Sequence, residues 1–333
     1  TVQVMDEIHV PRPCIDVLDE GYNCEWSQEL RIDESFREYL NAWVLIHALA
    51  GRLGLAGPGT LFAMSVGYDL AGVQSAKVRR FLGAMRDAGP ALEAAVDRVA
   101  AVYPRVRDVE IPRQLSNHVT LSTMHGCPPA EIERIARHLL DEEGVHTWVK
   151  LNPTLLGPER LRGILNERMG FDVVVPDAAF AHDPRFDEAI EMARHLEGAA
   201  NAAGLSFGLK LSNTLEVVNQ RGVFPASEKT SYLSGRALHP LTLTLAHLVT
   251  EALDGRVPIS FCGGANASNF ARLVADGLLP VTVCTDLLKP GGYARLQEYL
   301  ANLALEMDAV GARSLDAFIA KSDARRTLAL HAE

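Results

Sequence analysis

The chain has 333 residues, 48% of them hydrophobic and 22% charged, with a net charge of −10. That is ordinary globular composition with ample apolar material for a core. The acidic balance, the lack of any Lys/Arg block and an aromatic content of only 6% argue against a nucleic-acid groove and against binding to an anionic membrane surface.

No run of about 18 apolar residues occurs, so no membrane span is expected. The opening TVQVMDEIHVPRP has neither a basic region nor an apolar one, so it does not read as a signal peptide. Five cysteines (Cys14, Cys24, Cys127, Cys262, Cys284) are scattered without a CxxC pair. This fits reduced thiols in a cytoplasmic protein and predicts no iron–sulfur or zinc site of local spacing.

In chain order, strands are predicted at Thr1–Met5, Leu61–Gly67, His118–Ser122, Thr147–Asn152, Phe171–Val175, Ser206–Ser212, Pro258–Cys262 and Pro280–Cys284. Most are apolar on both faces, as buried parallel strands are. Helices are predicted at about 35–54, 76–101, 130–142, 158–168, 186–203, 239–253, 268–276 and 293–310, with Pro/Gly pairs between the elements. Alternation of this kind gives a parallel α/β sheet, either a (β/α)₈ barrel or a doubly wound sheet. No GxGxxG follows a strand, and the last two βα units favour the barrel.

Those units read VPISFCGGANASNFARLVADGLLPVTVCTDLLKPGG. Gly263 and Gly264 would let backbone approach a phosphate, with Thr285 adding a hydroxyl. The plainer alternative is a tight turn. Lys150 lies in an otherwise apolar strand near its C-terminal end. It must be paired or functional, either stabilising negative charge on a cofactor, forming a Schiff base, or closing a structural ion pair. Asn213 and Thr214 end another strand, where Asn213 could meet an amide-rich ring or cap a turn. The loop STMHGCPP (122–129) holds Ser122, Thr123, His125 and Cys127 ahead of a helix. It reads as an acid loop or a turn; a metal site lacks partner ligands at sensible spacing. Asn23 and Glu25 in GYNCEWS, and Gly235 in YLSGRAL, are weak signals alone.

Taken in order, NCE, TLST, VKLNP, LSNT, YLSGRALHP, CGGANAS and VCTDLLK resemble the FMN-binding barrel of the dihydroorotate and dihydropyrimidine dehydrogenases. The wording is closer still to bacterial iron–sulfur flavoproteins that carry a selenate reductase label. The resemblance implies a TIM barrel of the FMN-linked oxidoreductase type over residues 1–310, followed by a helical extension or linker at 311–333. It implies that Lys150 stabilises reduced flavin and that Gly263, Gly264, Cys284 and Thr285 hold the FMN phosphate. Thr1, Ser122, Thr214 and Gly235 would line the cofactor, and Asn23, Glu25 and Asn213 the substrate. Hydride would pass between FMN and a small N-heterocycle, with electrons arriving from NAD(P)H through iron–sulfur and FAD modules outside these residues. The family's acid Cys is replaced in this chain by Thr123, which leaves Thr123 or the displaced Cys127 as donor, and a thiol is the better-matched acid. By the same resemblance the first strand, most of the second and a flavin-contacting Lys are not among these residues, and are expected either on a longer chain or from a partner. A homo-oligomer is compatible with all of this. A non-redox lyase or aldolase using Lys150 as a Schiff base, and a catalytically idle docking module, stand as the competing readings.

Overall fold

The computed structural model describes residues 15–17, 21–23, 31–55, 57–67, 69–122, 127–222 and 224–330. Its strands, in chain order, begin with β1 (Ile15–Val17), β2 (Gly21–Asn23), β3 (Ala63–Val66), β4 (His118–Leu121) and β5 (His146–Leu151). They continue with β6 (Phe207–Leu211), β7 (Leu215–Val218), β8 (Thr230–Leu233), β9 (Ile259–Cys262) and β10 (Val281–Thr282). Six of these form one all-parallel sheet in the order β10-β9-β6-β5-β4-β3. Helical segments connect successive strands, which is the α/β architecture of a TIM barrel. A smaller sheet, ordered β2-β1-β8-β7, joins the short strands β1 and β2 to the hairpin of β7 and β8. The strand expected at Thr1–Met5 lies outside the described residues.

The register of the large sheet separates two faces. Leu121 pairs with Val149, Leu209 with Val149 and Ile259, and Leu211 with Leu151 and Phe261. All of these are buried, under helices such as Pro129–Asp141, Phe186–Ala203 and Leu238–Ala252. The opposite, inner face is polar: Ser65 pairs with Thr120, Thr120 with Trp148, and Lys150 with Lys210, which pairs in turn with Ser260. Trp148 lies flat over Gly208, where a Cβ would stand 2.2 Å from the indole. The glycine is therefore what lets the largest side chain of the inner face settle.

Three expectations need correcting. Phe171–Val175 is not a strand. Val173 and Val175 are buried, but the backbone of the segment is held largely by side chains, with Asn166 donating to Phe171 and Val173 and Arg162 to Val175. β5 and β6 pair directly, so the sheet has no slot for it. The helix expected over 76–101 is two, Ala76–Arg86 and Gly89–Ala100. Gly89, at φ +39°, turns the chain while Asp87 accepts from its N–H and from Arg113. The hairpin β7–β8 is an addition to the expected elements, its strands being only four residues long.

Among the described residues no helix is long and apolar enough to cross a membrane. The end of the chain folds back, with Phe318 of the helix Leu315–Leu330 packing in a small apolar cluster with Ala271, Val274 and Leu303.

At the pole where strands begin, His118 and His146 are in register and their rings stack 4.6 Å apart. Burial first, and the neighbouring imidazole second, hold His118 below the ordinary imidazole range. A histidine whose folded pKa is depressed binds fewer protons folded than unfolded. Its contribution is therefore intact above the unfolded pKa and is lost as pH falls through the folded one. Urea midpoints should drop between pH 7.5 and 5.5, and His118→Phe should flatten that part of the profile. An unchanged slope in the variant would refute the assignment.

Candidate active site

The C-terminal ends of five strands surround a cleft enclosing about 580 Å³, part of it open to solvent. Lys150 enters from β5, Ser212 and Thr214 from the end of β6, and Ser234 and Gly235 from the end of β8. Cys262 ends β9 and Gly263 and Gly264 follow it, while Thr282, Cys284 and Thr285 come from β10 and its loop. Of the residues predicted from sequence, Lys150, Thr214, Gly235, Gly263, Gly264, Cys284 and Thr285 thus meet in one place.

The glycine turn is held from behind. Gly264 sits at φ +63°, and a Cβ there would stand 2.7 Å from the Gly235 carbonyl oxygen and 2.9 Å from the Arg236 Cα. At Gly263 a Cβ would press on the Thr242 hydroxyl at 2.7 Å. Thr242 is fully buried and shares a 2.7 Å hydrogen bond with Ser212, whose N–H donates to the Cys262 carbonyl. Asn269 fixes the rest of the loop by donating to the Gly264 carbonyl and accepting from the Asn266 N–H. His239 also packs against this turn. Burial lowers its pKa, with a hydrogen bond to the Gly263 backbone acting the other way. The Gly-Gly-Ala-Asn-Ala-Ser-Asn string is therefore a small polar scaffold.

The second wall rests on Asp286. Its carboxylate is almost fully buried and accepts both arms of Arg295, at 3.0 and 2.9 Å, and the Tyr299 hydroxyl at 2.8 Å. Lys289 lies 3.2 Å away. Burial alone would raise Asp286, but hydrogen bonds from Arg295, Tyr299 and Lys289 outweigh it and hold the group below the usual carboxylate range. The same burial, together with Asp286, pushes the Tyr299 phenol far up. The Tyr299 hydroxyl shares its one proton between Asp286 and the Ala265 carbonyl, 3.2 Å away, tying the β10 loop to the glycine loop.

One polar group in the cleft is left over. The Thr214 hydroxyl is buried and has no hydrogen-bond partner among the described residues. Leaving such a group unsatisfied costs about 1–3 kcal/mol. Thr214 is also one of the residues that line the cleft.

Other predicted residues lie apart. Cys127 is half-buried and lines a separate pocket of about 250 Å³ with Asn152, Asp183 and Lys150, so Lys150 borders both spaces. Asn213 is buried; its side chain accepts from the Thr214 N–H and its own N–H donates to Leu151, which is the turn-capping role. Ser122 ends β4 with its N–H on the Val66 carbonyl and does not line the cleft. Thr1, Glu25, Thr123 and His125 lie outside the described residues, and Asn23 is described only as backbone of β2. Among the described residues no group of three or more His, Cys, Asp or Glu is placed to hold a metal ion.

Sequence reasoning missed Lys210, Arg236, Asp286 and Lys289. Lys210 had the same signal as Lys150, a lysine in an apolar strand. The other three sit in loops, where a charged residue raises no question.

The family description "Oxidoreductase YgfK, N-terminal TIM-barrel domain" matches residues 1–329. The chain belongs to that family. It is 39% identical over 325 residues to the Escherichia coli (strain K12) protein YgfK, whose name gives it only provisional standing as an oxidoreductase, and equally to its counterpart in strain O157:H7. The alignment covers 91% of this chain and 31% of those proteins, so the chain spans about a third of their length. Among solved structures, a ligand-free DHODH from Eimeria tenella is 17% identical at a TM-score of 0.35, covering 68% of this chain and 69% of that one. A likeness that low carries no argument. What stands is an oxidoreductase TIM-barrel domain with a cleft at the strand ends where such barrels place their sites.

Replacing Gly264 by Ala should cost about 1–3 kcal/mol from the positive φ alone, with the clash against Gly235 and Arg236 added. Urea denaturation should show that loss, and ligand binding in the cleft should fall with it. A Gly264→Ala protein of unchanged midpoint would mean the loop is free to shift.

Proposed function

We propose that this oxidoreductase domain binds FMN in the cleft and carries out hydride transfer between FMN and a small N-heterocycle, as one module of a larger iron–sulfur flavoprotein. In this reading residues 1–310 are the barrel and 311–333 its extension. The observation that carries it is the buried Thr214 hydroxyl, without a partner among the described residues, in a cleft it lines together with Lys150 and a glycine turn packed too tightly for a Cβ. Those features fit a cofactor with a polar ring at one end and a phosphate at the other. Gly263, Gly264, Cys284 and Thr285 would hold the phosphate, with Gly235 closing the turn beside it. Lys150 and Thr214 would face the ring, while Thr1 and Ser122 would complete the cofactor's surroundings.

FMN, when bound, supplies the hydride chemistry. The protein's part is positioning, charge and a proton. The Lys150 ammonium favours negative charge on the ring nearest it. Asn23, Glu25 and Asn213 would orient the substrate ring by hydrogen bonds. Cys127, which lines the neighbouring pocket together with Lys150, would hold the proton that the substrate needs when it is reduced. Thr123 is the alternative donor, and its hydroxyl is a far weaker acid than a thiol. NAD(P)H, FAD and iron–sulfur clusters belong, in this reading, to modules beyond these residues.

A second reading is favoured by one observation, the in-register pair Lys150–Lys210. A neighbouring cation is one of the arrangements that activate lysine as a Schiff-base nucleophile. Borohydride trapping that labels Lys150 in the presence of a carbonyl substrate would support it.

The deciding measurement is the absorbance spectrum of the purified protein before and after adding FMN. Yellow protein, or FMN-dependent thermal stabilisation, is expected. A colourless protein that FMN does not stabilise overturns the proposal. With FMN bound, Lys150→Met should weaken it tenfold or more. Cys127→Ala should slow the substrate half-reaction by about 10²–10⁴ while sparing cofactor binding. If only Thr123→Ala does so, the donor is Thr123.

A further inference from the structure

The helix Ile32–Leu53 is apolar on the side that faces the core, where Leu40, Trp43, Val44 and Ala48 are buried. Its outer side changes character half-way along. The first half exposes Asp33, Arg37 and Glu38; the second exposes Leu45, Leu49 and Leu53, at 50, 54 and 69%. Spacing of four places these three leucines in one stripe. Leu55 and Leu61, in the segment that follows the helix, are also well exposed. Five of the twelve exposed large apolar residues in the described part of the chain thus fall between 45 and 61. Arg52 is the one charged residue exposed beside the stripe, and an exposed apolar stripe of this kind marks an interaction site.

The patch has a definite address. The helix runs toward the start of β3, and Trp43 donates to the Pro112 carbonyl shortly before β4 begins. The leucines therefore lie at the pole where strands start, away from the cleft at the strand ends. A partner seated there leaves the cleft mouth open.

We infer that this leucine face is the docking surface for the polypeptide that follows the barrel in the longer proteins of the family. The YgfK relatives carry about two thirds of their length outside the region matched by this chain, and the matched domain is the N-terminal one. That remainder is tethered to the domain, so its effective concentration at the patch is high without any diffusional search. It offers an apolar surface to the leucines, because a polar one would leave them uncovered. The inference does not depend on the flavin reading.

The test is thiol labelling by a maleimide, resolved by peptide mass spectrometry, in the protein expressed with its whole native reading frame. Leu49→Cys and Leu53→Cys are compared with Glu191→Cys, an exposed position on the helix Phe186–Ala203. Labelling of both leucine positions at least tenfold slower than at 191, in a particle of monomer mass and at every protein concentration, is the expected result. Labelling as fast as at 191 overturns the inference. Protection that fades on dilution as a dimer dissociates also overturns it, assigning the face to a second copy of the chain.

Discussion

Parallel pairing in strict register is the constraint on which the rest of this molecule depends. Because side chains alternate across a strand, the pairing of Leu209 with Val149 and Ile259 sends Lys150, Lys210 and Ser260 together to the other face. A slip of one residue would bury two ammonium groups under the helices and expose a row of leucines, at a cost no local hydrogen bond could offset. The apolar face thus does more than hold the helices. It decides that two cations stand side by side within the sheet, with Lys150 at the rim of the cleft.

The chain is acidic overall, while the cleft is basic in its lining. Net charge is −10 for the whole chain, yet the lining includes Lys150, Arg236 and Lys289 against one carboxylate, Asp286. That carboxylate is already engaged by the Arg295 fork and the Tyr299 hydroxyl. Its charge is directed into the wall, where it fixes loops, and not toward the space a ligand would fill. Charge balance over a whole chain bears on solubility and non-specific partners; it says little about a pocket that a few side chains control.

How far the sequence could be read follows from the range of the interactions involved. The helix 186–203 and the strands near 63, 118, 147, 207, 259 and 281 are set by local periodicity, and the structure has them where the pattern placed them. Phe171–Val175 has the same local pattern and a different outcome, because its partners, Asn166 and Arg162, are side chains whose reach no periodicity encodes. The residues of the cleft were legible where they break a pattern, as Lys150 does in an apolar strand and as Gly263-Gly264 does after one. Asp286 breaks none. Its importance lies in being buried by Tyr299 and gripped by Arg295, both in the chain well after it, and that is tertiary information.

The Thr214 hydroxyl and the Asn213 side-chain oxygen show how differently the polar atoms of adjacent residues can be engaged. Asn213 spends its side-chain oxygen on the Thr214 N–H, and its own N–H reaches back to Leu151 at the end of β5. Those two bonds stiffen the exit of β6, while the Thr214 hydroxyl beside them is buried and has no hydrogen-bond partner among the described residues. A fold that satisfied every polar group by itself would offer a ligand nothing to gain. In this cleft one group is withheld from the protein's own network, alongside a lysine and a glycine turn that are each costly or constrained in their own right. An occupant that hydrogen-bonded this group would recover the cost, and together with Lys150 and the glycine turn this is what supports the binding site proposed above.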